Sequence, residues 1–319
     1  MEIRSQIVEE RKRRSLHLSF WSRFLVGAVL IIIIVNLVNA RNLVLAFQHA
    51  DIRYVLGAGC LVAGNIGLQL FKWSYMLRFI DRFSRKDVFA SFFFGITLGS
   101  FTPGQIGEFG GRAVHLPSEN RGTVIGLAVI DKLQVFGVMA IGGLLSILFL
   151  YHVESITVIA LSVAGSSIIA ILLLRFSLVK TFLLKAGVSR LRHAWVTQAV
   201  DSLSLFAPKD LLITTLTTVM FYGVVYFQLF LLMNAFHPIN AYDSFLTYAA
   251  MMFAKTLLPF SIADLGIREF GLVYFTSMVG YPSPDALAAS LLLFMINIAT
   301  PALIGLFFVP HTISLSSRK

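Results

Sequence analysis

The sequence predicts an all-α polytopic membrane protein. Of its 319 residues, 57% are hydrophobic and only 13% are charged, whereas soluble domains contain about 25% charged residues. The mean hydropathy of +0.82 reflects several uncharged runs, each close to the roughly 20 residues that a helix needs to cross a hydrocarbon core. The net charge of +10 fits the excess of Lys and Arg in the cytoplasmic loops of such proteins. Nucleic acid is therefore not an expected partner.

Eight hydrophobic segments follow one another along the chain. The first, residues 24–40, exceeds the about 7–15 apolar residues of a cleaved signal sequence, so we interpret it as a retained span. The others are residues 54–71, 88–107, 133–153, 155–174, 211–236, 244–263 and 286–310. They indicate a single transmembrane domain over residues 24–310, between a basic N-terminus (1–23) and a short tail (311–319).

Lys and Arg residues predict the orientation. Nineteen of the 26 lie in the N-terminal stretch, the loop 72–86, the connection 175–209 and the C-terminus. These regions are expected in the cytoplasm. Both termini should therefore face the cytoplasm from a cytoplasmic (inner) membrane, and Lys72 should anchor the chain at the membrane surface.

Two segments do not fit a simple crossing. The segment near residues 88–112 follows a cytoplasmic loop, and the next span also begins in the cytoplasm, so it should return to the side from which it entered. The segment near residues 244–284 should do the same from the opposite face. About six full spans with two re-entrant broken helices of opposite orientation form the pattern of an inverted repeat. Two short spans in place of either re-entrant segment, up to eight transmembrane helices in all, would satisfy the same charges.

Both breaks contain residues that start helices. Thr102 is expected to cap a helix that begins at Pro103, with Gln105 completing a capping box. Ser261 and Asp264 have the same spacing in the second break. We therefore expect two helix N-termini within the membrane, and such ends favour phosphate.

Charged residues accompany both breaks. Glu108 and Arg112 are four residues apart and share a helical face. Because a charge at mid-bilayer costs about 2.5–3.5 kcal/mol, we expect a polar cavity with paired charges. Ion pairs that only hold the broken helices are the alternative for any single residue, and Lys132 and Lys255 could instead extend to the membrane surface. The candidate substrate-binding residues are Thr102, Gly104, Glu108, Arg112, Ser261, Arg268 and Glu269, with Asp131, Lys132, Lys255 and Asp264 as secondary candidates.

Signatures of other functional classes are missing from the sequence. It has no Walker A motif, no Gly-x-Ser-x-Gly elbow and no paired histidines, and Cys60 is its single cysteine. We therefore expect no catalytic residues, no metal site and no cofactor. An enzyme acting alone in the membrane is the weaker class.

Several short motifs resemble one known family. They are PGQIGE at residues 103–108, IDKL at 130–133, LPFS at 258–261, GIRE at 266–269, Gly280, and DALAAS at 285–290. Their order and spacing resemble the transmembrane flippase region of lysylphosphatidylglycerol synthases, also called multiple peptide resistance factors, over residues 20–310. The chain departs from this family at three positions. The family commonly has Arg where this chain has Gly111, which Arg112 follows. It usually has Arg at the position of Lys132 and often Gly at the position of Asp264.

The resemblance implies a lipid flippase-like transporter. Its cargo would be an anionic or modified phospholipid or a polyprenyl-linked glycolipid, held between the two half-helix N-termini. Arg112 and Arg268 are expected to contact phosphate, with Glu108 and Glu269 as their partners or as proton carriers. The alternative is a non-transporting subunit that presents a lipid to a separate glycosyl- or aminoacyl-transferase. Lysyl transfer by this chain is not expected, because only residues 311–319 follow the membrane region.

Overall fold

The chain is helical wherever the structure describes regular elements. The structure is a computed structural model and describes residues 40–102, 104–116, 121–185, 194–258 and 264–308, together with residue 32. The predicted all-α class is confirmed within these ranges. The first predicted span, apart from residues 32 and 40, and the tail 311–319 lie outside them. The helices are α1 (Ala40–His49), α2 (Ile52–Leu77), α3 (Arg85–Ser100), α4 (Gly107–Val114), α5 (Arg121–Leu150), α6 (Ile156–Leu174), α7 (Phe176–Lys185), α8 (Ala194–Ser202), α9 (Pro208–Phe236), α10 (Ala241–Leu257), α11 (Ile267–Ser277), α12 (Ser283–Phe294) and α13 (Thr300–Gly305).

Five helical segments of the described chain are long and apolar enough to cross a membrane. They are α2, α5, α6, α9 and the continuous segment Ser283–Phe308. The last segment contains α12, a π turn at Met295–Ala299, α13 and a 3-10 turn at Leu306–Phe308. These five coincide with predicted spans, whereas the count of eight and the inverted repeat remain predictions.

The first broken segment is a helical hairpin, which we call hairpin 1. Its arms α3 and α4 are 16 and 8 residues long, and the described residues of its tip are 101, 102 and 104–106. The arms are antiparallel and nearly touch, because a Cβ atom added at Gly111 would lie 2.9 Å from the Cα atom of Gly95. The absence of a side chain at Gly111 therefore allows the two arms to approach closely.

The second broken segment forms hairpin 2. Its arms α10 and α11 have 17 and 11 residues, and the described residues of its tip are 258 and 264–266. Gly271 of α11 faces Met251 of α10, which sets the arms antiparallel. The chain therefore breaks in both predicted places. Re-entry of either hairpin to its own side of a membrane remains a prediction.

The buried apolar residues form two main cores, one for each hairpin. The first core contains Leu229, Met233, Met251 and Leu272, and takes in hairpin 2. The second core takes in hairpin 1 and includes the members Trp73, Phe92, Leu127 and Ile130. Helices α2, α5 and α9 contribute to both. The region between the cores is polar.

Candidate functional site

A cavity of about 160 Å³ lies between the two cores. Val225 and Met252 of the first core line it, and so do Ile66 and Ile96, which pack against the second core. Charged and amide side chains make up the polar part of the lining. They come from α2, the tip of hairpin 1, α4, α5, α10, α11 and the π turn, so both hairpins contribute.

The cavity lies deep along α5. The predicted hydrophobic run begins at residue 133, but α5 begins at Arg121, so Asp131 and Lys132 lie inside the helix. At 1.5 Å per residue they are about 15 Å from Arg121, or half of a typical hydrocarbon thickness. The alternative in which Lys132 extends to the membrane surface is wrong, because its ammonium group bonds to Glu108 and to Oε1 of Gln105, the latter at 2.7 Å.

Hairpin 1 places an alternating charge network against α5. Arg112 donates to Glu108, the predicted partner four residues earlier, and to Oδ2 of Asp131 at 2.9 Å. Lys132 also pairs with Glu108. The Nζ atom of Lys72 lies 2.6 Å from Oδ1 of Asp131. Each of the two carboxylates therefore holds two cations.

Arg112 is buried, with 3% of its surface exposed. Its guanidinium carbon lies 4.5 Å from the centroid of the Trp73 ring, a cation–π contact. The Oγ atom of Ser91 donates to the Arg112 carbonyl at 2.7 Å, which fixes the backbone. Within the described part of the chain, the Nε–H group of Arg112 has no hydrogen-bond partner. This side chain keeps an unused donor beside the cavity.

Sequence reasoning missed Lys72. We expected it at the membrane surface, but α2 continues to Leu77 and Lys72 is buried. Its Nζ atom also donates to Oγ1 of Thr218 on α9 at 2.6 Å. The spacing of Asn65, Gln69 and Lys72, with steps of four and three residues, was an available signal of one polar helical face.

Hairpin 2 contributes a second, smaller charge network. Arg268 donates to Glu269, and Oε2 of Glu269 accepts the N–H of Gly266 at 2.7 Å. Lys255 pairs with Oδ2 of Asp264 at 2.9 Å. Arg268 and Lys255 line the cavity, so predicted residues from both breaks meet at one site. Ser261 lies outside the described residues.

The two hairpin tips contact each other. Nε2 of Gln105 donates to Oδ2 of Asp264 at 3.3 Å. Both residues adopt the left-handed backbone region, with φ of 58° and 59°, which is uncommon for residues other than glycine. The contact thus joins two turns that the chain forms at some conformational cost.

The capping box predicted in the first break is wrong. The Oγ1 atom of Thr102 accepts the N–H of Gly107 at 2.7 Å, and α4 begins only at Gly107, with Ile106 at its N-cap position. Gly104 and Gln105 both have positive φ, which prevents a helix from starting at Pro103. Thr102 and Gly104 therefore shape the tip, and neither lines the cavity.

The second helix also begins later than predicted. Asp264 and Gly266 have positive φ, so α11 begins at Ile267, and Glu269 lies in its first turn. Glu108 occupies the first turn of α4 in the same way. Each half-helix N-terminus therefore already has its own carboxylate, which competes with any other anion for the N–H groups there.

The site carries an excess of positive charge. Five cations line the cavity: Lys72, Arg112, Lys132, Lys255 and Arg268. Four carboxylates pair with them: Glu108, Asp131, Asp264 and Glu269. One formal positive charge is therefore left over among the described residues, and an anion fits this balance.

Comparison with known families decides the relationship. The profile described as the lysylphosphatidylglycerol synthase TM region matches residues 20–305. The chain belongs to this family. Membership in the lysylphosphatidylglycerol synthase TM family, together with the apolar helices, identifies a lipid-related multi-pass membrane protein. A comparison with curated proteins finds no match.

Proposed function

We propose that the chain is a flippase-like transporter that moves an anionic lipid between the leaflets of the cytoplasmic membrane. The lipid phosphate binds in the cavity at Arg112, Lys72 and Lys132, while the acyl or prenyl chains stay in the bilayer. The expected cargo classes are a phospholipid or a polyprenyl-linked lipid. The chain itself performs no group transfer and binds no metal.

The observation that carries this proposal is a cluster of cations around one cavity, about 15 Å along the apolar helix α5. Burying charges within a membrane is costly, and buried charges in membrane proteins concentrate along substrate and ion pathways. Here five cations of the described chain face one cavity between two apolar cores. Arg112 has an unpartnered buried N–H group there, and an anion would provide its acceptor.

The paired carboxylates support transport over permanent binding. Glu108 and Asp131 already bond to the cations, so an arriving phosphate competes with two internal anions. Binding that is only moderately favourable permits release on the other side of the membrane. A site built for permanent retention would offer cations without internal partners.

Arg112→Gln tests the proposal in liposomes that contain the purified chain and a labelled phosphatidylglycerol. We expect lipid movement to fall about tenfold or more, because a hydrogen bond to a charged group contributes about 1.5–3 kcal/mol. The protein should remain folded with a moderate fall in melting temperature, since Glu108 remains paired with Lys132 and Asp131 with Lys72.

Arg85→Gln is the matched control, because Arg85 is exposed at the start of α3. It should leave lipid movement unchanged. Undiminished transport by a folded Arg112→Gln protein would refute the phosphate contact. If the wild-type chain moves lipid only when a transferase is added, the chain is instead a subunit that presents lipid to that enzyme.

A further inference from the structure

A wall of amide side chains borders the same cavity. Asn65 and Gln69 of α2 and Asn297 of the π turn line it, and Gln228 of α9 lies behind them. Nδ2 of Asn65 donates to Oδ1 of Asn297 at 2.6 Å, and Nε2 of Gln69 donates to Oδ1 of Asn65 at 2.7 Å. Nδ2 of Asn297 donates to Oε1 of Gln228 at 3.0 Å. We call these four residues the amide wall.

The π turn explains how Asn297 reaches this wall. Pro301 has no N–H group for the carbonyl oxygen of Asn297, four residues earlier. The helix widens into a π turn at Met295–Ala299, and Oγ1 of Thr300 donates to the Met295 carbonyl at 2.8 Å. Such turns occur often at functional sites. This one directs Asn297 toward α2 and α9, where its hydrogen-bond partners lie.

The amide wall is neutral and has unused hydrogen-bonding capacity. Asn65 and Gln228 are buried, with 2% and 0% exposure, and burying amides is costly unless their polar groups are bonded. Gln69 makes one hydrogen bond within the described chain, so its carbonyl oxygen and one N–H remain available. A hydroxyl group both donates and accepts, and it matches this pair of groups.

A cationic head group does not fit this wall. An ammonium group prefers a carboxylate, and the amide wall contains none. The carboxylates that line the cavity, Glu108 and Asp131, each already hold two cations. Adding a further ammonium group would increase the existing excess of positive charge.

The residue spacing along α2 sets the distance between the proposed phosphate contact at Lys72 and the amide groups that would bind a hydroxyl. Asn65, Gln69 and Lys72 lie on one face of this helix, because their spacing is four and three residues. Asn65 is therefore about 10 Å from Lys72 along the axis, and Gln69 about 5 Å. A glycerol or sugar joined to a phosphate spans the shorter distance. The phosphate can bond to Lys72 while the attached hydroxyls reach Gln69.

We infer that the amide wall selects a neutral, hydroxyl-bearing head group, a glycerol or a sugar, on the lipid whose phosphate binds the cationic side chains. A lipid with a cationic aminoacyl head group is then a poor substrate. The inference rests on the proposed lipid movement and specifies its substrate class. Gln69 and Asn65 are the specificity-determining residues.

The test compares four labelled lipids in liposomes that contain the full chain. Phosphatidylglycerol and phosphatidylinositol carry neutral hydroxyl-bearing head groups, phosphatidic acid carries none, and lysyl-phosphatidylglycerol is cationic. We expect the first two lipids to move about tenfold faster than the last two. A factor of about ten is the upper range of what a single hydrogen bond contributes to a rate or an affinity. Gln69→Leu should slow phosphatidylglycerol about tenfold and leave phosphatidic acid unchanged.

Two further variants keep the test decisive. Gln134→Leu removes a buried amide outside the cavity, whose Nε2 donates to Oγ1 of Thr214 at 2.7 Å. It should lower the melting temperature but preserve the ratio of lipid rates. Gln69→Glu adds a carboxylate to the wall and should raise the relative rate of lysyl-phosphatidylglycerol.

The outcomes separate this inference from the proposed function. Equal rates for phosphatidylglycerol and phosphatidic acid in the wild-type chain, or equal losses of both in Gln69→Leu, overturn the role of the amide wall. If no lipid moves at all, the transport proposal fails. Competition of the same four lipids for binding to the purified chain in detergent then measures selectivity directly, and equal affinities refute it.

Discussion

Arg112 and Arg268 differ in how their carboxylate partners are shared. When Arg112 is removed, Glu108 remains paired with Lys132, and Asp131 remains paired with Lys72. Glu269 is fully buried and has Arg268 as its one cation within 4 Å among the described residues. The sequence predicted both pairs as equivalent, because spacing along one helix does not reveal cations supplied by others.

This asymmetry predicts different stabilities. Arg268→Gln should lower the free energy of unfolding by about 3–5 kcal/mol, because it leaves a buried carboxylate without its cation. Arg112→Gln should cost less than half as much. Thermal unfolding in detergent measures both, and adding Glu269→Gln to Arg268→Gln should recover most of the loss. Equal losses for the two single variants would contradict the distribution of ion pairs.

Lys72 shows where residue-scale prediction reaches its limit. The charge count assigned it to a cytoplasmic loop, yet α2 continues for five residues beyond it, because Trp73, Met76 and Leu77 pack in the second core. Its burial depends on Asp131 and Thr218, which are 59 and 146 positions away. Contacts of this range leave no local pattern in the sequence.

Hairpin 1 depends on a glycine at the point where its arms touch. Gly111→Ala would place a Cβ atom 2.9 Å from the Cα atom of Gly95 and 3.0 Å from the Phe94 carbonyl oxygen. Because backbone atoms cannot move aside easily, we expect a loss of about 1–3 kcal/mol in the free energy of unfolding. Chemical or thermal unfolding in detergent provides the measurement.

Gly110→Ala is the control for this prediction. No heavy atom lies within 4 Å of a Cβ atom added there. The substitution should therefore be neutral, or stabilising by about 0.5–1 kcal/mol through helix propensity. If both alanine variants were equally stable, the arms would not be in the close contact described above.

The breaks themselves were predictable, but the helix starts were not. Pro103, Gly104 and Pro259 mark the interruptions in the sequence. The positive φ values of Gln105 and Asp264 result from the turns and from the contact between the two tips. Neither residue type requires that conformation, so the sequence placed both helix starts several residues too early.

The arrangement of the whole chain predicts which sites are accessible from each side of a membrane. With Cys60 replaced, single cysteines at His152, His237 and Lys185 occupy exposed positions. An impermeant thiol reagent added from outside the cell should label the two histidine positions and not Lys185, because basic connections face the cytoplasm. Labelling at Lys185 alone would reverse the orientation and refute the inverted-repeat interpretation.

At the scale of the whole molecule, the sequence predicted the all-α membrane class and the five long apolar helices. It did not predict how the helices pack against one another. A hydrophobic run locates one helix without reference to the others, and this was enough to predict the positions of α2, α6 and α9. The meeting of the hairpin tips, the two cores and the amide wall depends on packing between helices far apart in the chain. The amide wall joins residues as distant as Asn65 and Asn297.

The separation of the two cores has an evolutionary consequence. Leu229 belongs to the first core and Leu127 to the second, so we expect their packing constraints to be independent. Leu229→Ala and Leu127→Ala should lower the free energy of unfolding additively, with a coupling below about 0.5 kcal/mol in a double-mutant cycle. A larger coupling would mean that the cores pack as one unit. If they are independent, substitutions at Gln69, Asn65 or Lys132 can change the lining of the cavity while both cores stay intact. Under the proposed function, a lineage can then acquire a new lipid without rebuilding its fold.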